Sequence, residues 1–415
     1  MIGYKKQKRD RKEITMATIA IAGTFDSKGA EYAFVKKVIE DQGVDTLMIH
    51  TGVFDSTIPC DVSNGEITAE VGVDIKDVVA KKDRAYGTEV LSKGMEKLLP
   101  KLFSEGKFDG VLSFGGTGGT SIVTPGMRAL PVGVPKIMVS TVASGDVSMY
   151  VGTSDIMMYP SIVDVSGLNS LSIKIFTNAA NAICGMVKAK SVESAEKKPL
   201  IAATMFGVTT PCVDFARKYL ESRGYEVLVF HATGTGGKTM ENLVKSGFFA
   251  GVLDLTTTEW CDELVGGVLA AGPDRLDAAG SCGVPQIVSV GALDMVNFGP
   301  RDTVPKEFEG RNFYQHNPTV TLMRTTVDEC RQLGEIIAKK LNATKGKTIL
   351  MLPLKGVSMI DAEGQAFYGA EEDKVLFDTL RSNIDKSKVE IIEMDCNIND
   401  QQFGETAAEK LISLF

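Results

Sequence analysis

The chain has 415 residues, a formal net charge of -8, 44% hydrophobic and 24% charged residues, the balance of a water-soluble globular protein long enough for two or three domains. No apolar run reaches the length of a membrane span, and the acidic balance argues against nucleic acid or an anionic membrane as a general partner. An anionic small ligand stays compatible, because a nest of backbone amides needs no net positive charge.

The seven cysteines are scattered with no C-x-x-C spacing, which fits a reducing cytoplasm, and three histidines leave little for a zinc site. Residues Met1 to Thr15 are basic and lack the apolar centre of a secretory signal, so 1-15 reads as a disordered arm before an N-terminal domain over 16-190. Thr18 to Ala22 is strand-like, Ala30 to Gln42 carries a helical apolar face, and Val44 to His50 is a second strand, together a βαβ unit. The intervening loop holds Thr24, Asp26, Ser27 and Lys28 at the carboxyl edge of the first strand, where open parallel sheets bind ligands. Lys28 suits a phosphate and Asp26 a metal or ribose; a solvated lysine and a helix cap are the plainer alternatives.

Thr51 to Lys82 reads as irregular, a lid or dimer arm, and Ala85 to Glu105 as a helix. The stretch Val111 to Ser121, VLSFGGTGGTS, then runs from a buried strand into Gly115, Gly116, Thr117, Gly118, Gly119 and Thr120. Without Cβ atoms such a loop can turn its N–H groups toward a phosphate, or it can simply be a tight strand-to-helix turn. A strand over Lys136 to Ser140 leads into another small-residue loop with Ser144 and Gly145, and Asn169 to Lys188 is helical.

The charged stretch Lys188 to Lys198 marks the domain boundary, after which a C-terminal domain over 198-415 restarts the same order. Strand Leu200 to Met205, helix Pro211 to Arg223 and strand Tyr225 to Phe230 repeat the opening, and Ala250 to Asp254 and Gly283 to Ile287 echo Asp109 to Ser113 and Gly133 to Ile137. His231 to Thr239, HATGTGGKT, has the context of a Walker phosphate loop with Ala232 in place of its first glycine, so Gly234, Thr235, Gly236, Gly237 and Lys238 are candidate phosphate contacts and Asp254 a candidate Walker B acid. Glu259 and Asp294 follow apolar strands as candidate acid/base or metal groups, against loop caps. His316 lies in a turn before Pro318, and Arg324, a candidate anion ligand, precedes a helix whose Thr326 and Glu329 form a capping box. Strands Thr348 to Leu354 and Val389 to Met394 and helices Glu371 to Ser382 and Ala407 to Leu414 complete the chain. The expectation is an α/β fold: two Rossmann-like, doubly wound domains with mainly parallel sheets and a ligand cleft between them.

Five motifs, GTFDSKG at Gly23, SFGGTGGTS at Ser113, TVASGD at Thr141, HATGTGGKTME at His231 and HNPTVTLMRTT at His316, resemble the Tm-one-like ATP-binding family. The resemblance runs from about Met16 to the C-terminus. It implies ATP with Mg2+ as ligands and a homodimer, with no established reaction for stand-alone microbial members, and its matching loops are Asp26 to Lys28, Gly115 to Thr120 and Gly234 to Lys238. The metal ligands stay unknown. Three functions follow as expectations: a cytoplasmic ATP-binding protein or ATP/Mg-dependent enzyme acting on a small anionic metabolite, with Glu259, Asp294 and His316 as catalytic candidates; a non-catalytic ATP-liganded regulator with a protein partner; or a lyase or isomerase for a phosphorylated or carboxylated metabolite without ATP.

Overall fold

A computed structural model describes residues 16–189 and 198–415, so the basic arm and most of the charged boundary stretch lie outside the described residues. The described residues form two compact units. The N-terminal unit runs β1 (Thr18–Gly23), α1 (Phe25–Glu40), β2 (Asp45–His50), α2 (Asn64–Ala69), α3 (Ile75–Lys81), α4 (Arg84–Ser104), β3 (Gly110–Gly115), α5 (Thr117–Ala129), β4 (Lys136–Ser140), α6 (Ser148–Val151), β5 (Met157–Pro160) and α7 (Ser170–Lys188).

Its five strands are all parallel in the order β2-β1-β3-β4-β5. The alternation along each strand sends Ile19, Ile21, Leu112 and Phe114 to a core shared with α1 and α7, and Ala20, Ala22, Val111 and Met138 to one shared with α4 and α5. Both faces are therefore covered, which is why these strands read as nearly continuous apolar runs. Gly43, at φ +69°, lets the chain leave α1 and turn back into β2.

Two sequence expectations change here. Helix α1 begins at Phe25, directly after Thr24, so Asp26, Ser27 and Lys28 form its first turn and not a loop, with Lys28 itself at non-helical φ -132°, ψ 27°. Thr51 to Lys82 contains α2 and α3, started by the side chains of Ser63 and Asp74, so short capped helices stand where glycines and prolines suggested irregular chain.

The C-terminal unit runs β6 (Leu200–Met205), α8 (Thr210–Glu221), β7 (Glu226–His231), α9 (Thr235–Lys245), β8 (Gly251–Thr256), α10 (Glu259–Val265), α11 (Ala278–Cys282), β9 (Gln286–Gly291), β10 (Met295–Phe298), β11 (Phe313–Asn317), β12 (Val320–Arg324), α12 (Val327–Asn342), β13 (Thr348–Pro353), α13 (Ala370–Asn383), β14 (Val389–Met394) and α14 (Gln401–Ser413). Six strands pair in parallel in the order β14-β13-β9-β8-β6-β7. Read from β7, the first five positions repeat the order of the N-terminal sheet, so the expected repetition extends to topology. Helices α8 and α14 cover one face, while α9 and α11 to α13 cover the other. The fold is thus α/β with two Rossmann-like units. A three-stranded antiparallel sheet, β10-β12-β11, adds to the parallel architecture expected from the sequence: His316, expected in a turn, is on strand β11, and the turn of the β11–β12 hairpin falls at Pro318 and Thr319. Thr326 and Glu329 do make the capping box of α12.

Candidate functional sites

In the N-terminal sheet the strand order reverses between β1 and β3, and the crevice outside the carboxyl ends of such a pair is where doubly wound sheets take their ligands. The ends of these two strands are the 24–28 and 115–120 segments. They are tied together by Tyr32 of α1, whose hydroxyl donates to the Phe114 carbonyl at 2.5 Å while its ring stacks on Phe114 at 3.8 Å. Beside them His50 accepts from the Phe25 N–H through Nδ1 at 3.2 Å, which leaves Nε2 to donate to the Phe54 carbonyl at 2.7 Å and fixes a neutral tautomer. Asp26 accepts from the Phe54 N–H at 3.1 Å, and the Lys28 ammonium donates to the Val165 carbonyl. Ser27 donates to the Thr24 hydroxyl at 3.3 Å. Asp26 and Lys28 therefore already brace the 50–57 and 165 segments.

The glycine loop is different. Gly116 is the N-cap of the 13-residue α5 and supplies no side-chain cap. A Cβ on Gly115, Gly116 or Gly119 would find its nearest neighbour at 3.5, 3.7 or 3.9 Å, and on Gly118 it would meet only the flexible tip of Arg84 at 3.4 Å. None of the four has positive φ. Neither packing nor backbone conformation of the chain itself calls for glycine here, so the tight-turn explanation loses its physical basis. Thr120 is engaged, donating to the Gly116 carbonyl at 2.9 Å and bonded to Ser140 at 2.7 Å. Thr117 is exposed. Thr141 donates its N–H to the Gly115 carbonyl at 3.2 Å and so brings the β4 loop alongside, with Ser144 and Gly145 exposed further along it. Arg84, Thr88, Glu89 and Ser92 of α4 and Thr117, Gly118 and Ser121 of α5 line an open depression of about 620 Å³.

The second glycine loop, before α9, is full. Gly234 has φ +79°, and a Cβ on Gly236 would lie 1.8 Å from the His231 carbonyl oxygen, so both glycines are demanded by the chain. The Glu259 carboxylate occupies the nest: its Oε1 accepts from the N–H groups of Gly234 at 2.7 Å and Gly237 at 3.1 Å. A carboxylate in that place stands where a bound phosphate would. Glu259 is fully buried and its Oε2 meets Arg275 Nε at 2.6 Å. Arg275 also grips Asp254 through two bonds of 2.5 and 2.6 Å and reaches Glu241 at 3.4 Å. Burial opposes the Arg275 charge, yet Asp254, Glu259 and Glu241 together hold its pKa above the ordinary value, while burial pushes Glu241 up. Thr235 and Lys238 are exposed on α9, and Asp254 is committed to Arg275, away from any Walker B role.

A second buried cluster lies past the carboxyl ends of β9 and β13. Arg324 Nη2 contacts Asp373 at 2.9 Å and Asp361 at 3.2 Å, and Asp294 accepts from the Ser358 hydroxyl at 2.8 Å. Burial, then the neighbouring Asp294 charge, raises the Asp361 carboxyl to about 9. Burial raises Asp294 to about 6 against the pull of Arg324, and Asp373 is also raised by burial. Ala292, between β9 and Asp294, takes a left-handed backbone conformation, φ +56°, that is strained for a residue with a side chain. So Asp294 and Arg324 are brought together, but Arg324 is already neutralised from within. His316 stands apart, exposed on β11. Sequence reasoning missed Arg275, Glu241, Asp361, Asp373 and Ser358 as cluster members; they come from loops and helices far apart in the chain, and no local spacing signals them. Among the described residues, no group of three or more His, Cys, Asp or Glu has the arrangement to hold a metal ion, and no helix is long and apolar enough to cross a membrane.

Two doubly wound units joined in this order, each with a glycine loop opening a helix, define the class to which comparison with known proteins assigns the chain. Residues 17–192 match the "Uncharacterised protein family (UPF0261) N-terminal domain" and residues 198–415 the corresponding C-terminal domain. The chain belongs to the UPF0261 family. It is 55% identical over 397 residues to a UPF0261 protein of Clostridium tetani, covering 95% of this chain and 98% of that one. It is 43% identical over 339 residues to the ToMV resistance protein Tm-1(GCR237) of Solanum lycopersicum, covering 80% of this chain and 45% of the plant protein. A UDP-N-acetylglucosamine 2-epimerase structure from Rickettsia bellii aligns over 66% of this chain and 78% of that one at 11% identity, and its TM-score of 0.22 carries no argument.

Proposed function

We propose that this UPF0261 protein binds ATP in its N-terminal unit, with the phosphates on the amides of Gly116 to Gly119 at the start of α5, ahead of Thr120, whose N–H is given to the Gly116 carbonyl at 3.0 Å. The observation that carries the reading is the set of four glycines whose missing side chains serve no internal contact and have no positive φ to accommodate. A chain keeps glycine at an entropic cost, so glycines that the fold itself does not need point to a group brought from outside. The position agrees, at the carboxyl edge where the strand order reverses. The uncapped first turn of α5 adds the positive end of its dipole.

Magnesium fits this arrangement as a companion of the phosphates, because Mg2+ in such sites keeps most of its waters and takes only one or two protein oxygens. Thr117, the first residue of α5, and Asp26, in the first turn of α1, are the residues that would share it. The chemistry that Mg2+ supplies is neutralisation of phosphate charge. The second glycine loop is no nucleotide site in this reading, since Glu259 fills it. A small anionic metabolite, a homodimeric state and a cytoplasmic setting complete the proposal; they rest on the motif resemblance and on the composition.

Calorimetric titration of the whole chain with ATP and Mg2+ tests it. The expected result is saturable binding that Gly118→Val abolishes while leaving the ligand-free melting temperature within about 2 °C, since a Cβ at that position meets only the flexible tip of Arg84 at 3.4 Å. Saturable binding that survives Gly118→Val with unchanged affinity removes the α5 loop as the site.

A further inference from the structure

The depression beside Gly118 is lined by two charged residues that the glycine motif does not predict, Arg84 and Glu89. Arg84 is the first residue of the 21-residue α4, a helix with no acidic residue in its first turn. A cation there opposes the helix dipole, and the adjoining Asp83 caps the helix, its Oδ1 accepting from the N–H groups of Ala85 and Tyr86. The nearest acid along the helix, Glu89, is taken by Lys93 at 2.6 Å. Among the described residues the Arg84 guanidinium has no hydrogen-bond or ion-pair partner, and its Nη2 lies 3.4 Å from where a Cβ of Gly118 would stand. An arginine placed against its own helix, left unpaired, and held over an uncapped helix start is a local conflict of the kind that binding sites carry.

A buried group nearby points the same way. Thr51 ends the β2 run at the carboxyl edge, and by alternation it lies on the same face as Leu47 and Ile49, the face covered by α4 and α5. It is completely buried, and its hydroxyl oxygen has no hydrogen-bond partner. Helices α4 and α5 both begin at this edge of the sheet, so the unpaired guanidinium and the uncapped amides share one depression, and the unsatisfied Thr51 hydroxyl lies at the same edge of the same face, outside the lining of that depression.

We infer that Arg84 is a phosphate-binding residue, a guanidinium clamp supplied by α4 for the terminal phosphate of a polyphosphate seated on α5. The assignment rests on the ATP-binding reading above and extends it to a second helix. Planar, permanently charged and able to give two parallel N–H bonds, arginine suits a phosphate better than lysine does. Thr88 and Ser92, one turn apart on the α4 wall of the depression, offer hydroxyls to the same group.

The test is titration of the full chain with ATP·Mg2+ and, separately, with inorganic tripolyphosphate, for wild type, Arg84→Ala, Arg84→Lys, Lys97→Ala and Gly118→Val. Arg84→Ala is expected to weaken both probes at least tenfold, Arg84→Lys to recover part of the loss, and Lys97→Ala, which removes a charge from the same helix outside the depression, to change affinity less than twofold. The ligand-free melting temperature of Arg84→Ala should stay level or rise, because the helix loses an unfavourable charge. A lowered melting temperature with unchanged affinity would make Arg84 a structural residue and overturn the assignment. Loss of binding in Gly118→Val with Arg84→Ala within twofold of wild type overturns Arg84 and leaves the α5 site standing. Failure of the wild type to bind either probe overturns both.

Discussion

Replacing Glu259 by glutamine tests whether the second glycine loop is sealed by the protein's own carboxylate. The amide oxygen can still accept from Gly234 and Gly237, but the amide nitrogen then faces Arg275 Nε, donor against donor, where a 2.6 Å charge-assisted bond stood. Arg275 keeps its two bonds to Asp254, so the loss is that of one partner in a buried network and not of the whole. Breaking one member of a buried ion pair costs about 3 kcal/mol at the lower end. For a unit of this size roughly 2–4 °C of melting temperature go with each kcal/mol, so a fall of about 6–12 °C is expected. Glu259→Ala should go further, since two buried amides also lose their acceptor at about 1–3 kcal/mol each. Differential scanning calorimetry, with hydrogen exchange to assign the transition to residues 198–415, reads the effect, and ATP titration of Glu259→Gln should match wild type. A melting temperature within 2 °C of wild type, or a marked change in ATP affinity, would show that Glu259 faces a ligand and refute the internal-anion argument.

The two glycine loops should also differ in their tolerance of one methyl group. Gly236→Ala brings a Cβ to 1.8 Å from the His231 carbonyl and is expected to lower the thermal stability of the C-terminal unit sharply, whereas Gly119→Ala, with 3.9 Å of room, should leave stability unchanged. Urea unfolding should expose the Asp361 proton. Its carboxyl titrates at about 9 in the fold against an ordinary 3.8, so between those values the folded state holds the extra proton, and this contribution to stability, full below about pH 4, is lost as pH rises through 9. Asp361→Asn should flatten the alkaline part of that fall, and an unaltered pH profile would count against the buried proton.

Much of this architecture is legible in the sequence because both sheets are covered on both faces, and strands such as TIAIA and Val111 to Phe114 announce themselves as apolar runs ended by glycine. The doubling of the fold is legible too, from Gly-Val-Pro preceding both β4 and β9. The hairpin β11–β12 escaped because β11 is largely exposed and its last two residues, His316 and Asn317, carry turn chemistry together with Pro318. Helices α2 and α3 escaped for a related reason: six and seven residues are too few to show a period, and only their caps reveal them. The candidate sites were legible as loops but not as contents. HATGTGGKT has the look of an open phosphate cradle, and nothing within it says that a glutamate 22 residues beyond Gly237 will fill it. Likewise Arg324 is visible as a lone arginine after a strand, while Asp361 and Asp373, 37 and 49 residues further on, are what decide its state.

The Glu259 carboxylate gives the C-terminal unit a ligand that it can never lose. A tethered anion is present at a fixed and very high local concentration, so its binding energy is part of the folding energy and does not vary with the surroundings. A loop that waits for a free anion behaves otherwise: its unit gains stability in proportion to the logarithm of ligand saturation. Within one polypeptide, two loops of almost the same glycine pattern therefore divide, on the proposed ATP reading, into a constant and a variable, and only the half carrying α5 is then expected to report the nucleotide level of its surroundings through its own resistance to unfolding.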